Sequence, residues 1–305
     1  GPGVDRSGDA LKHGNVYGSS PLGGVLVVAG DDHGCVSSSM PHQSDLAMQA
    51  WSMPVLHPAN VAEYLEFGLY GWALSRFSGA WVGFKAISEV VESGMTVDLD
   101  AVPLDFTLPV DFKPAQPLHV RAVDLPSLAL EERLAAKLDA VRAFARLNSL
   151  DKHIVSSPRA TLGIVTVGKA HFDFMEVLRR LQITPAMLEE AGIRLLKVGL
   201  SFPIETTRMR SFARGLKELL VIEEKGAIVE TQLRTLFYNE APEQRPVIAG
   251  KADARGAPLV SAVGELRPSR LIGDIKRALE AAVEAGELEP HREAEYYVEF
   301  VAEHR

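Results

Sequence analysis

The chain has 305 residues, 47% of them hydrophobic and 24% charged, enough for two domains that each bury a core. A formal net charge of −8 argues against the basic footprint that nucleic acid or an anionic membrane surface requires, and the single cysteine, Cys35, excludes an internal disulfide or a cysteine cage for zinc or an iron–sulfur cluster within this chain. No apolar run approaches the ~20 residues of a membrane span, and none has a signal-peptide pattern, so the expected location is the cytoplasm.

The chain begins Gly1-Pro2-Gly3, and residues 4–9 read like the middle of a loop. With residues 295–305 ending without a cap or tail, the expectation is a piece of a longer protein. Residues 24–30 form a continuous aliphatic run between glycines, the pattern of a parallel strand buried on both faces. A short strand is predicted at 54–56. A helix follows from the N-cap Asn60 to Arg76, with Val61, Tyr64, Leu65, Leu69, Trp72 and Ala73 at helical spacing. Residues 81–87 read as a strand and 89–92 as a short helix. Five prolines between 102 and 126 exclude a helix there, the alternation at 104–108 suggests an edge strand, and the segment reads as an interdomain connection. A helix over 129–147 closes it.

A second domain is expected from about 159. Strands at 162–168, 193–198, 219–222 and 246–249 alternate with helices at 172–181, 185–191, 206–214 and 228–237; Thr184 caps the second of these, with Pro185 at its first position. This alternation means βαβ units and a parallel sheet. From Ser269 the tail is helical, with Ile272, Ile275, Leu279 and Val283 in register. The fold class is therefore α/β, with two open parallel-sheet domains. The expected boundaries are a first domain at 1–100, a connecting segment and helix at 101–157, a second domain at 158–255, and a helical linker at 256–305.

Generic catalytic signatures are absent: no Walker loop, no Gly-x-Gly-x-x-Gly, no nucleophile elbow, and nine histidines with no metal-binding pair. Two stretches stand out. Residues 31–43 are dense in hydrogen-bonding groups (Asp31, Asp32, Ser37, Ser38 and Gln43) and follow a parallel strand at its carboxyl end, where open α/β sheets bind ligands. They could hold a polar heterocycle or an oxoacid; equally, Asp and Ser there could cap the amides of a strand-to-helix turn. The glycine-rich residues 1–9 could approach a ligand closely, with Arg6 binding a carboxylate or phosphate, or could form a solvated loop. Glu223 and Glu224, at a strand end, could meet a neighbouring subunit or cap the turn. Nothing marks Cys35 as a nucleophile.

At these residues the chain resembles indolepyruvate:ferredoxin oxidoreductase, a thiamine-diphosphate-dependent 2-oxoacid:ferredoxin oxidoreductase, most closely the long fused bacterial form. The likeness rests on residues 1–9, on Ala29-Gly-Asp-Asp with Ser37-Ser38, on Gly83-Phe84-Lys85, on residues 197–203 and 221–225, and on Gly250-Lys-Ala-Asp253 with residues 264–268, all in one order. It implies oxidative decarboxylation of aryl 2-oxoacids with thiamine diphosphate and Mg²⁺, electron transfer through 4Fe–4S clusters to ferredoxin, and formation of an acyl-CoA. Residues 1–100 would be the C-terminal part of a pyrimidine-binding domain, and residues 158–255 a transketolase C-terminal-like domain serving architecture and dimer contacts. The activating carboxylate, the diphosphate and Mg²⁺ site and the cluster cysteines would lie outside this chain, which would be inactive alone and need the rest of the polypeptide or subunit. Arg6, Asp31, Asp32, Ser37, Ser38 and Gln43 would line the cofactor and substrate crevice, with no catalytic residue and no metal ligand assigned. His33 stands where archaeal relatives tend to have proline, so no role transfers to it. A two-fold homodimer is implied, with Trp51, Met53 and Trp81 as candidate covered surface. The alternatives are the beta subunit of a 2-oxoacid dehydrogenase and a non-catalytic nucleotide-binding α/β module.

Overall fold

The computed structural model describes residues 1–124 and 127–284. In chain order the elements are helices α1 (Pro2–Arg6) and α2 (Gly8–Tyr17), strand β1 (Leu26–Asp31), α3 (Asp45–Ala50), β2 (Val55–Leu56), α4 (Val61–Ser78), β3 (Val82–Ile87), α5 (Ser88–Val91), α6 (Ala129–Leu147), β4 (Lys152–Val155), β5 (Leu162–Val167), α7 (Ala170–Arg180), α8 (Pro185–Glu190), β6 (Ile193–Val198), β7 (Leu200–Phe202), α9 (Thr206–Ala213), β8 (Glu218–Ile222), α10 (Val229–Phe237), β9 (Val247–Ala249) and α11 (Pro268–Glu284). They form two compact units: Gly1–Leu150 with Gly199–Thr207, and Asp151–Val198 with the chain from Arg208 onward. The fold is α/β with two mainly parallel open sheets.

These divisions differ from the expected ones. Helix α6 is not part of a connection but packs on α4 and α2 in the first unit. The first unit also takes back residues 199–207, whose strand β7 pairs antiparallel with β2. No strand forms at 104–108; instead Phe106 packs against Tyr70 and Phe144. Residues 256–284 belong to the second unit, where α11 packs on α7, while 285–305 lie outside the described residues.

In the first unit the sheet order is β1-β3-β2-β7, with β1, β3 and β2 parallel. Strand β3 is buried throughout, as a continuous apolar run predicts. β1 reads the same way in sequence but lies at the sheet edge, and its Val28 is 65% exposed. Helix α4 starts as expected: the Asn60 side chain accepts the Glu63 N–H, and Glu63 in turn accepts the Ala59 N–H. Its buried face is not the predicted one. Phe67, Tyr70 and Leu74 point into the core, whereas Leu65, Leu69 and Trp72 face outward. The helix is apolar on both sides, so spacing alone cannot choose between them. Gly71 lets it lie close to the sheet; a Cβ there would stand 2.6 Å from Leu26 Cδ2 and 2.8 Å from Leu56 Cδ1.

Residues 1–9 are helical rather than a loop. Pro2 begins α1, Asp5 sits in its first turn, and Val4 packs with Ala29, Met48, Met53 and Val55 below the sheet. Helix α2 ends against α6 through buried charge. The Lys137 Nζ donates to the carbonyls of Asn15 (2.7 Å) and Val16 (3.0 Å). Arg133 donates to the Tyr17 carbonyl at 3.2 Å and pairs with Asp124. Both cations thus meet the negative end of the helix. Burial, reinforced by the neighbouring Arg133, pushes the Lys137 ammonium down to about 7. Gly18 follows at φ +100, and a side chain there would strike Lys137 Nζ at 2.6 Å.

The second unit has sheet order β4-β6-β5-β8-β9. The last four strands are parallel, and β4, which the sequence reading missed, is an antiparallel edge. Phe174 and Val177 of α7 and Leu271 and Ile275 of α11 cover one face over Ile164, Leu195 and Ile222.

If α6 belongs to the first unit's core, Phe144, fully buried against Tyr70, Phe77 and Phe106, is one of its main anchors. Phe144→Ala should therefore cost about 3–5 kcal/mol in urea unfolding. A loss below about 1 kcal/mol, typical of an exposed connector, would contradict this assignment.

Candidate functional site

The polar 31–43 loop leaves β1 at the carboxyl end of the parallel strands. Its order comes from two buried carboxylates. Asp31 accepts the Ser44 N–H at 2.9 Å and the Ser44 hydroxyl at 2.6 Å. Lys85, from the middle of β3, places its Nζ 3.7 Å from Asp31 and 2.8 Å from Asp45. All three charged side chains are at most 5% exposed. Two carboxylates thus share one ammonium, and the chain is tied down on either side of the loop.

Asp32 holds the loop from within. Its carboxylate accepts the backbone N–H groups of Val36 (2.9 Å), Ser37 (2.8 Å) and Ser38 (3.0 Å). Those donors, led by Ser37 and Val36, hold its carboxyl far below the usual carboxylate range despite the opposing effect of burial. The charged form therefore persists as pH falls through ordinary carboxylate titration, and the loop stays tied until stronger acid. Cys35 adopts φ +59 and donates its thiol to the Ser38 carbonyl, which explains its place as a turn residue.

The sequence-predicted residues thus divide by role. Asp31 and Asp32 face inward. Ser37 is exposed, Ser38 and Gln43 are half-buried, and Val36 and Met40 project outward beside them, 77% and 57% exposed. Helix α1 lies beside the loop: the Gly1 backbone nitrogen donates to the Gly30 carbonyl, and Asp5 lies 3.7 Å from the His42 ring. Arg6 is exposed at the end of α1 and makes no described contact with the loop. Lys85, Ser44 and Asp45 were missed as site residues, although a lysine inside the apolar 82–87 run has to find an anion if that strand is buried. Trp51 and Trp81 are half-buried under α2, and Met53 is fully buried, so these three do not form the exposed apolar surface expected of them.

In the second unit the carboxylates after β8 are spent on capping. Glu223 accepts the N–H groups of Ile228, Val229 and Glu230 at the start of α10, while burial raises its carboxyl. Glu224 accepts the Leu266 N–H at 2.7 Å and lies 3.4 Å from Lys169. Among the described residues no group of three or more His, Cys, Asp or Glu side chains is arranged to hold a metal ion, and no helix is long and apolar enough to cross a membrane.

If Asp32 is the loop's internal tie, Asp32→Ala should speed hydrogen exchange at the Val36, Ser37 and Ser38 amides by about tenfold or more. Unchanged exchange at those three amides would show that other contacts hold the loop.

Comparison with known proteins bears on both units. Residues 152–294 match the family model of the indolepyruvate oxidoreductase domain. The chain is 24% identical over 263 residues to indolepyruvate oxidoreductase subunit IorA of Pyrococcus abyssi, an overlap of 84% of this chain and 38% of that protein. It is 24% identical over 222 residues to IorA of Thermococcus kodakarensis, an overlap of 72% of this chain and 33% of that protein. The chain thus spans little more than a third of the length of these curated relatives. Its fold is shared with 2-oxoglutarate:ferredoxin oxidoreductase from Magnetococcus marinus, solved with 2-oxoglutarate, coenzyme A and succinyl-CoA bound. That match has a TM-score of 0.57 at 15% identity and covers 91% of this chain and 52% of that one. By its second unit the chain thus resembles the indolepyruvate oxidoreductase domain, and over most of its length it is similar to IorA subunits.

Proposed function

We propose that this chain is the part of a 2-oxoacid:ferredoxin oxidoreductase that carries one wall of the cofactor crevice, acting on aryl 2-oxoacids such as indolepyruvate. In this reading the first unit is the C-terminal part of a pyrimidine-binding domain, and the second is a transketolase C-terminal-like domain. Further polypeptide supplies the diphosphate and Mg²⁺ site and the iron–sulfur clusters that pass electrons to ferredoxin, and the acyl group leaves on CoA. The domain match over residues 152–294 and the length of the relatives support this division.

The observation that carries the reading is the loop's two-sided construction. Its carboxylates and three of its amides are satisfied internally, so those amides are not open to a diphosphate. Its outer surface carries Ser37, whose hydroxyl also reaches Asp32 at 3.4 Å, beside the apolar Val36 and Met40, with Ser38 and Gln43 half-buried next to them. Hydrogen-bonding groups set among apolar side chains suit a flat polar heterocycle better than a phosphate. Thiamine diphosphate, when bound, supplies the electron sink for decarboxylation. The chain's own residues would orient the heterocycle and exclude water from it: Ser37, Ser38 and Gln43 by hydrogen bonds, Val36 and Met40 by contact. Asp31 and Asp32 would act as positioning residues, and Arg6, on α1 beside the loop, would meet the substrate carboxylate.

The test has two arms. The chain alone, given indolepyruvate, thiamine diphosphate, Mg²⁺, CoA and a viologen dye, should reduce no dye. In a complete enzyme carrying this segment, Ser37→Ala with Ser38→Ala should raise the apparent KM for thiamine diphosphate by about tenfold, the cost of one or two lost hydrogen bonds. Dye reduction by the chain alone, or an unchanged KM in the complete enzyme, would falsify the proposal.

A further inference from the structure

Helix α2 is held to the first unit more by polar contacts than by apolar ones. Asn15 is its one buried residue. The Asn15 Nδ2 donates to the Trp51 carbonyl at 2.9 Å, and its Oδ1 accepts the Trp81 N–H at 3.0 Å. The other attachment is the end of the helix, where the carbonyls of Asn15, Val16 and Tyr17 meet Lys137 and Arg133. That attachment holds more positive charge than negative. Lys137 and Arg133 are both fully buried, and the carboxylate between them is Asp124, which Arg121 also engages at 2.8 Å. The Arg133 Nε is enclosed without a partner. A guanidinium stays charged at every ordinary pH, so Lys137 is the member that can relieve the excess. It keeps its contacts when it does: a neutral amine has two N–H donors, and the Asn15 and Val16 carbonyls take both. The groups on the packed elements leave this balance as it is. On α2, Asp9 and His13 pair with each other at the surface. On α4, Arg76 donates to the Gly23 carbonyl, and His119 donates to the Arg76 carbonyl. On α6, Asp139 is taken by Arg142. Burial, and then Arg133, push the Lys137 ammonium down to about 7 against the opposing pull of Asp124.

We propose that Lys137 makes the attachment of α2 to α6 a pH-sensitive latch: α2, and α1 with it, is held most firmly at alkaline pH and opens more readily as pH falls to neutral. A short helix that buries little of itself belongs to the part of a domain that opens without global unfolding. The direction follows from proton linkage. Once α2 lifts off, water reaches the ammonium and its ordinary value of 10.5 returns. The open form therefore binds the extra proton between about 7 and 10.5, and closure strengthens as pH rises through that range. Below about 7 both forms are charged, and the dependence ends. Helix α1 lies beside the 31–43 loop, with Asp5 3.7 Å from the His42 ring, so opening loosens one support of that loop. An effect on the crevice rests on the function proposed above; the latch itself does not.

Hydrogen exchange of the chain as it stands, from about pH 6 to about pH 9, tests the latch once rates are corrected for the intrinsic pH dependence of amide exchange. Protection at the α2 amides, and at Val4 and Ser7 of the α1 segment, should rise about tenfold per pH unit above about 7 and stay level below it. The α2 amides should also exchange faster than those of α4, as local opening requires. Lys137→Met removes the titrating group and should level the profile. Lys137→Arg, charged at every pH, should level it too, so the assignment remains testable if the methionine variant does not fold. A level profile in the parent chain, α2 amides that exchange only together with α4, or a slope that survives in either folded variant would each overturn the proposal. None of these outcomes bears on the KM test of Ser37 and Ser38.

Discussion

A lysine ammonium in the middle of a buried strand has to be matched by an anion, and in this protein the match organises everything around it. Lys85 sits in β3, every residue of which is buried, and it is held between Asp31 at the end of β1 and Asp45 at the start of α3. Burial of an isolated charge is prohibitive, so the three side chains are interdependent. The consequence is geometric. The residues immediately before and after the polar loop are fixed to one point of the sheet, with the Ser44 hydroxyl and amide completing the hydrogen bonding of Asp31. The loop between those anchors is then shaped by Asp32, with Cys35 donating to the Ser38 carbonyl.

The same device recurs after β8 of the other unit. There Glu223 gathers three backbone N–H groups at the start of α10, as Asp32 gathers three within its loop. In both places a carboxylate at the carboxyl end of a parallel strand is spent on ordering the backbone that follows. The difference lies in what is left facing outward. Beyond Asp32 the loop presents hydroxyls and apolar side chains, whereas Glu224, next to Glu223, is itself turned inward to Leu266 and Lys169. Under the function proposed above, the cofactor would accordingly meet the first unit and the second would serve architecture.

The chain's continuous apolar runs announced its parallel strands, and Asn60 announced the start of α4 to within a residue, because these signals are local. What escaped was set by partners distant in sequence. Strand β7 is three residues long and exists only because β2 accepts it. Helix α6 reads as a generic amphipathic segment, and only its contacts with α2 and α4 place it in the first unit. Helix α4 is apolar on both sides, so its buried face depended on where the sheet lay. The glycines of residues 1–9 suggested a loop, but Pro2 and Val4 start a helix that packs below β1. For the candidate site, Asp31 and Asp32 were visible as residues but not as inward-facing ones. Lys85 was visible too, inside a quoted motif, and the rule that a buried lysine requires an anion would have joined it to them.

The central claim is that the Lys85 ammonium, shared by Asp31 and Asp45, fixes both the sheet end and the loop. Urea unfolding of Lys85→Met, followed by hydrogen exchange across residues 31–45, tests it most directly. Methionine fills nearly the same space but leaves two buried carboxylates without their cation. The account predicts a loss of about 3–5 kcal/mol, with exchange protection falling at Ser44 as well as at 36–38. A variant within about 1 kcal/mol of the parent, with the loop amides still protected, would contradict it.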